Sequence, residues 1–339
     1  MRIVTYLSVI VFAVFLLGGS FLFWETVLQQ SSPKLTAQLV PVENQVQYIL
    51  PQTPTATLLF VGDIMLDRGV EAQIKTHQDW RWPFLNIADT LQEADIVFGN
   101  LESIISDKGK RVGSIYSFRA DPLAMEGLTY AGFDVLSIAN NHSLDYGREA
   151  LEDTLSRLGD AEIAYTGTGF SKSEAHSPAV LYINETEIGF LAYAGLGPSN
   201  WAAGENYSGI AWIDENTLSV LVEDILRAKS KTDIIIVSLH AGEEYTKDPS
   251  EFQRVFAKTA IDAGADLVIG HHPHVVQSIE QYKGKTIAYS LGNFIFDQDF
   301  SADTMQGLML KVLVQNKKIQ EVIPLKTKIN SSFQVELSE

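Results

Sequence analysis

Five short, uninterrupted apolar runs constrain this chain more than any other feature. TATLLFVGD, EADIVFGNLE, GFDVLSIANNH, TDIIIVSLHAGE and GADLVIGHHPH each pass from a continuous hydrophobic stretch into Asp, Asn, Glu or His. Strands buried on both faces read this way, because neither face calls for polar alternation. Helix-like stretches precede several of them. In DPSEFQRVFAKTAIDAG, Asp248 is placed to cap, Pro249 suits the first turn, and Phe252, Val255, Phe256 and Ala260 form an apolar stripe. DPLAMEGLTYAG (121–132) has the same form. Strands alternating with helices predict an α/β sheet, where ligands gather beyond the carboxyl ends of strands. Two stretches predict antiparallel hairpins, 179–193 turning around Asn184–Glu187 and 307–329 turning around Asn316–Lys318, so the sheet is mixed.

At 339 residues and 46% hydrophobic, the chain can bury a full core. A formal charge of −17 argues against a nucleic-acid partner. With no cysteine, disulfides, thiolate metal sites and cysteine catalysis are excluded. Ile3–Trp24 is uncharged over 22 residues, enough to cross a bilayer as a helix. A cleaved signal peptide is the competing reading, but no A-x-A-like exit follows. Arg2 before the segment and Glu25 after it put the bulk of the chain outside. Four prolines and a Gln/Ser/Thr-rich composition make 25–55 a juxtamembrane tether with one short strand. The expected division is an anchor over 1–24, a tether over 25–55, one domain over 56–329 and a tail over 330–339.

The strand ends collect Asp63, Asn100, Glu102, Asn141, His142, His240, His271, His272 and His274. Carboxylate, amide oxygen and imidazole together suit a divalent ion such as Mn, Fe or Zn. Each residue alone has a blander reading: a hydrogen-bonded structural histidine, a turn aspartate after Gly62, a helix-capping Asn-His pair. The agreement of five strand ends favours a site. Pro273 stiffens the backbone between His272 and His274, so their imidazoles can address different faces of one centre. His271 alternates away from them and reads as lying behind the site or exposed.

GDIMLDR (62–68), GNLES (99–103), ANNHSLDYG (139–147), LHAGEEY (239–245), GHHPHVVQ (270–277) and SLGNFIFDQ (290–298) resemble the CapA family of poly-γ-glutamate capsule synthesis proteins. That family looks like a branch of the calcineurin-type metallophosphoesterases. The resemblance implies a metallophosphatase-like, four-layer αββα sandwich with mixed sheets, preceded by one transmembrane helix. It implies a single-pass cell-membrane protein, its bulk extracytoplasmic, that works with the membrane subunits of a capsule polymer synthase in synthesis or export. Carried over by position, Asp63, Glu102, Asn141, His240, His272 and His274 match metal ligands, and His142 matches the neighbouring acid. Met65 stands where the parent pattern has histidine, and Glu102 replaces an aspartate. One well-held ion is therefore expected, from Asn141, His240, His272 and a carboxylate, with a second weak or absent. Metal-dependent hydrolysis of a phosphoester or polymer at the cell surface is the alternative function, and a scaffold without turnover a third. His142 would then protonate the leaving oxygen. Arg68 and Arg119 would either hold an anionic polymer or phosphoester or pair on the surface. Asp145 and Glu243 are placed to orient His142 and His240. Tyr146, Tyr245, Phe294 and Phe296 either line the groove or pack in the core. Asp297 and Gln298 either face the site or end a strand.

Overall fold

All five apolar runs form strands in the computed structural model, which describes residues 39–42, 45–48, 55–112 and 114–338. The expected anchor lies outside the described residues, as does most of the tether. Among the described residues no helix is long and apolar enough to cross a membrane. Within the tether stretch, Leu39–Val42 and Gln45–Tyr48 pair antiparallel, two strands where the sequence predicts one.

In chain order the main strands after residue 55 begin with β1 (Ala56–Ile64), β2 (Ile96–Leu101), β3 (Val135–Ser137), β4 (Ala164–Thr166), β5 (Ala179–Ile183), β6 (Thr186–Ala194) and β7 (Ile234–His240). They continue with β8 (Leu267–His271), β9 (Ile279–Tyr282), β10 (Lys285–Ala288), β11 (Asn293–Ile295), β12 (Gln306–Gln315), β13 (Lys318–Ile329) and β14 (Val335–Leu337). The principal helices are α1 (Arg68–His77), α2 (Ala124–Ala131), α3 (Arg148–Asp160), α4 (Leu218–Lys229) and α5 (Glu251–Ala263). One sheet runs β14-β13-β12-β1-β2-β3-β4 with β11 beside β1, and the other runs β5-β6-β7-β8-β10-β9. Both are mixed. β1 to β4 are parallel, as are β6, β7, β8 and β10, while the hairpin strands are antiparallel.

Alternate residues of each central strand enter different apolar layers. Leu58 and Phe60 of β1 meet Phe190 of β6 and Ile236 of β7 between the sheets. Leu59 and Val61 face Ile74 of α1, Leu128 of α2 and Leu151 of α3. On the far side, Ile235 and Val237 pack with Leu221 of α4 and Phe256 of α5. The order is helices, sheet, sheet, helices. Phe98 and Phe190 stack across the inter-sheet layer with ring centroids 5.7 Å apart. Burial on both faces is why these runs show no polar alternation.

Aspartates fix the parallel registers at the ends remote from the site. Asp95, Asp134, Asp233 and Asp266 each stand immediately before a strand. Their carboxylates accept from the amides of Thr57 (2.7 Å), Val97 (2.8 Å), Glu187 (3.0 Å) and Ile235 (3.0 Å) in the neighbouring strand. Each returns its own amide to the carbonyl of that same residue. A one-residue slip would break both bonds at once.

The hairpin turns fall at Asn184-Glu185 and Asn316-Lys317, all with positive φ, which suits the right-handed twist of the flanking strands. Helix α5 differs from expectation at its start. Ser250, not Asp248, is the N-cap, and it exchanges hydrogen bonds with Gln253 in a capping box, leaving Pro249 outside the helix. Val255 is exposed, because the buried stripe is turned through Gln253, Phe256, Ala257, Ala260 and Ile261. Strand β14, in the stretch expected to be a tail, pairs with β13 and completes the sheet edge.

Candidate metal centre

The site forms where the carboxyl ends of both parallel sets meet. Asp63 ends β1 in register with Asn100 of β2, and His240 ends β7 in register with His271 of β8. Gly62 allows a close approach here: a Cβ on it would lie 1.9 Å from the Gly292 carbonyl. That contact lets the Asp63 amide donate to Gly292 (3.0 Å) and brings Asn293 alongside Asp63. Two histidines of the loop after β8 carry strained backbone, His272 at φ 97° and His274 at φ 58°. The strain turns both imidazoles back onto the sheet ends.

Asn100 ties the sheets together. Its Nδ2 donates to Asp63 Oδ1 (2.8 Å) and faces His240 Nδ1 (3.2 Å). The other ring nitrogen, Nε2, lies 2.7 Å from Asn141 Oδ1, so that either a proton or a cation can bridge the two. Asn140 fastens the next loop, donating to the Leu101 carbonyl (2.8 Å) and to Asn100 Oδ1 (3.3 Å). The His272 amide donates to Asp63 Oδ2 (3.1 Å). His274 Nδ1 meets Asn293 Oδ1 at 3.0 Å. His142 Nδ1 meets Asp145 Oδ2 at 2.7 Å, and its ring packs on Phe118 with centroids 4.0 Å apart.

Glu102 lies at the centre, fully buried, and among the described residues neither carboxyl oxygen has a hydrogen-bond partner. Its Oε1 is 3.7 Å from His274 Nε2 and 3.8 Å from His142 Nε2. His272 Nδ1 is likewise buried and unpartnered. Two overlapping groups, Glu102-His272-His274 and Asp63-Glu102-His240, each bring one ligand atom per residue within 4.8 Å of the others. Burial and the Asp63 charge push Glu102 well above the usual carboxyl range. Burial acts on Asp63 in the same direction. There it is overcome by His271, by His274 and by the Asn100 donor, so Asp63 stays below its ordinary value. Burial drives His240 well below the ordinary imidazole value and lowers His272 to about 3. These orphaned buried atoms, with oxygen and imidazole donors converging, fit a divalent cation.

Asp63, Glu102, Asn141, His142, His240, His272 and His274 are thus brought together. Of the two readings of His271, the structure has it behind the site: it is fully buried, with Nδ1 3.3 Å from Asp63 Oδ1. Met65 belongs to the core layer under the helices, and its sulfur accepts from the Asp67 amide (3.2 Å). Beside His142 and His274 is a cleft of about 460 Å³, lined also by Arg68, Tyr116, Phe118, Glu244, Tyr245 and Gln298. Asp297 clamps Arg68 through Nε (3.1 Å) and Nη2 (2.8 Å). Arg119 is not among the residues lining this cleft. It stacks on Tyr146 at 4.2 Å and donates to the Lys108 carbonyl. Asp145 orients His142 as its spacing suggests. His240 is instead held by Asn100 and Asn141, and Glu243 lines a separate cavity. Phe294 and Phe296 are core residues, while Tyr245 and Gln298 face the cleft. Sequence reasoning passed over Asn140 and Asn293. Their signal was their place inside the motifs ANNH and GNF, beside residues already singled out.

Residues 57–298 match the family model described as bacterial capsule synthesis protein PGA_cap. The chain is 33% identical over 260 residues to the PGA biosynthesis protein CapA of Bacillus subtilis (strain 168), covering 76% of this chain and 67% of that protein. It is 32% identical over 299 residues to the capsule biosynthesis protein CapA of Bacillus anthracis, covering 86% and 70%. A crystal structure of a hypothetical protein from Thermus thermophilus superposes with a TM-score of 0.52 at 16% identity, over 80% of this chain and 99% of that one, a likeness of fold. A match across most of the folded region, together with relatives above 30% identity, places this chain in the family of bacterial capsule synthesis proteins.

Proposed function

We propose that this chain is a metal-dependent accessory protein of poly-γ-glutamate capsule synthesis or export. In this reading it is anchored by its N-terminal segment, it works beside the membrane subunits of the polymer synthase, and its centre hydrolyses a phosphoester. The observation that carries the reading is Glu102, a carboxyl group with two orphaned buried oxygens facing the imidazoles of a conjoined second sheet. The names of the two Bacillus relatives suggest the capsule role, and the layered α/β arrangement accords with the metallophosphoesterase resemblance.

Asp63, Glu102, Asn141, His240, His272 and His274 would hold one or two divalent ions. A bound ion supplies Lewis acidity and positive charge where negative charge develops on the reacting group. The residues of the chain do the rest. Asp145 fixes His142 through Nδ1, leaving Nε2 directed to the centre 3.8 Å from Glu102. With Nδ1–H donated to Asp145, His142 would act in its doubly protonated form: as water adds to phosphorus and the bond to the leaving oxygen breaks, Nε2–H passes its proton to that oxygen, and the proton released by the attacking water returns to Nε2. Arg68, held rigid by Asp297 at the cleft, is placed to pair with a nonbridging oxygen. Phe118, Phe296 and Tyr245 surround the imidazoles and limit water.

The test is metal content of the purified full-length chain together with turnover of bis(p-nitrophenyl) phosphate. Stoichiometric Mn, Fe or Zn with turnover abolished in Asn141→Ala and His272→Ala is expected. A chain that takes up none of these metals when they are supplied refutes the reading.

A further inference from the structure

The cleft beside His142 is one arm of a longer groove. A second cavity, of about 700 Å³, shares Asn141 and Ser114 with it and reaches His272. Its walls include Trp201, Asn200, Leu196 and Pro198, and apart from His272 no residue lining it is ionisable. The Trp201 ring stands next to the centre: a methyl placed on Gly197 would touch that ring at 3.5 Å and the Asn141 Cα at 3.7 Å. Arg148, which donates to the Asn200 carbonyl (2.9 Å), stacks on Tyr207 at 4.6 Å and is not part of the lining. In the first arm the Arg68 guanidinium is shared with Asp297, and Glu244 adds a negative charge. The whole chain carries −17. Among the described residues, a polymer with a carboxylate on every unit would therefore meet one shared guanidinium beside the centre and no Lys or Arg along the Trp201 cavity.

We propose that the Trp201 cavity is a subsite for a glycosyl ring joined to the phosphoester presented at the centre. A sugar offers a flat C–H face for the indole and hydroxyls for the amides of Asn141 and Asn200 and the hydroxyl of Ser114. An alkyl chain would leave those amides unpaired on burial, at a cost. The proposal rests on the phosphoester reading of the centre and adds the identity of the neighbouring group.

Full-length protein loaded with Mn²⁺ would be titrated by ligand-observed NMR with glucose 1-phosphate, N-acetylglucosamine 1-phosphate, glycerol 1-phosphate and tetra-γ-glutamate. At least one sugar phosphate is expected to bind about tenfold more tightly than glycerol 1-phosphate. Trp201→Ala should erase that preference without weakening glycerol 1-phosphate, and Trp201→Phe should keep most of it in a chain with a native melting transition. The subsite is refuted if native protein binds sugar and glycerol phosphates alike, if Trp201→Ala weakens both equally, or if tetra-γ-glutamate displaces the sugar phosphate at equal concentration. Metal uptake measured on the same samples separates the two ideas. A chain that holds Mn²⁺ but shows no sugar preference refutes the subsite alone, and one that holds no metal refutes both.

Discussion

Burial and the neighbouring Asp63 charge favour the protonated form of Glu102. A folded-state value raised above the ordinary 4.5 means that the folded chain retains a proton the unfolded chain releases. Stability from this group is full below 4.5 and is lost as pH rises toward the folded value. Glu102→Gln keeps the shape without the proton, so the metal-free variant should melt at or above the native temperature at neutral pH while losing at least about tenfold in metal affinity. Calorimetry with and without Mn²⁺ checks both; a variant that still binds metal normally would remove Glu102 from the ligand set. The imidazoles behave oppositely. His272, depressed from 6.5 to about 3, contributes stability above 6.5 that is lost as pH falls through that window. His272→Gln should therefore flatten the acid side of the melting profile between about pH 6 and 3. At this scale the strand-end residues were legible because each follows an uninterrupted apolar run. For His271 alternation left two readings, behind the site or exposed; the other sheet covers its face, so it is buried against Asp63, which leaves the first.

The elements show two devices of different visibility. The Asn-Glu and Asn-Lys turns are readable because positive φ restricts the residues that can occupy them. The aspartates before β2, β3, β7 and β8 escaped notice, since an isolated Asp before a strand is an ordinary turn residue until its partner strand is known. Asp134 is partly buried, its carboxyl raised by desolvation, and its bond to the Val97 amide is what offsets that cost. Asp134→Ala should destabilise by about 1–2 kcal/mol, since it strands a ladder amide. Asp134→Asn, which keeps an acceptor, should cost less than half of that. Chemical denaturation decides: equal losses would mean that the carboxylate charge, not the pairing, matters. The start of α5 was misread because Asp248 and Ser250 both suit an N-cap. Gln253, three residues after Ser250, closes the capping box and selects the serine.

Across the molecule, the candidate ligand atoms come from both sheets: Asp63 and Glu102 from one, His240, His272 and His274 from the other. A cation held by all of them would resist separation of the two halves. At a free concentration about 100 times its Kd, it should add about 2.7 kcal/mol to unfolding. Thermal melts before and after chelation should show one cooperative transition that moves as a whole. Protection by metal of one sheet alone, seen by hydrogen exchange, would contradict a shared centre. The layered architecture was legible from the alternation of runs and helices, but the pairing of the sheets through Phe98 and Phe190 was not, because aromatic side chains give no hint of which distant partner they meet.

The donors span the chain from Asp63 to His274 and no short segment contains a complete set. A cation bound by this set would thus be taken up late in the life of each molecule. Copies truncated or still being synthesised before His274 would lack part of the set, and loading with metal would serve as a certificate that both sheets have come together.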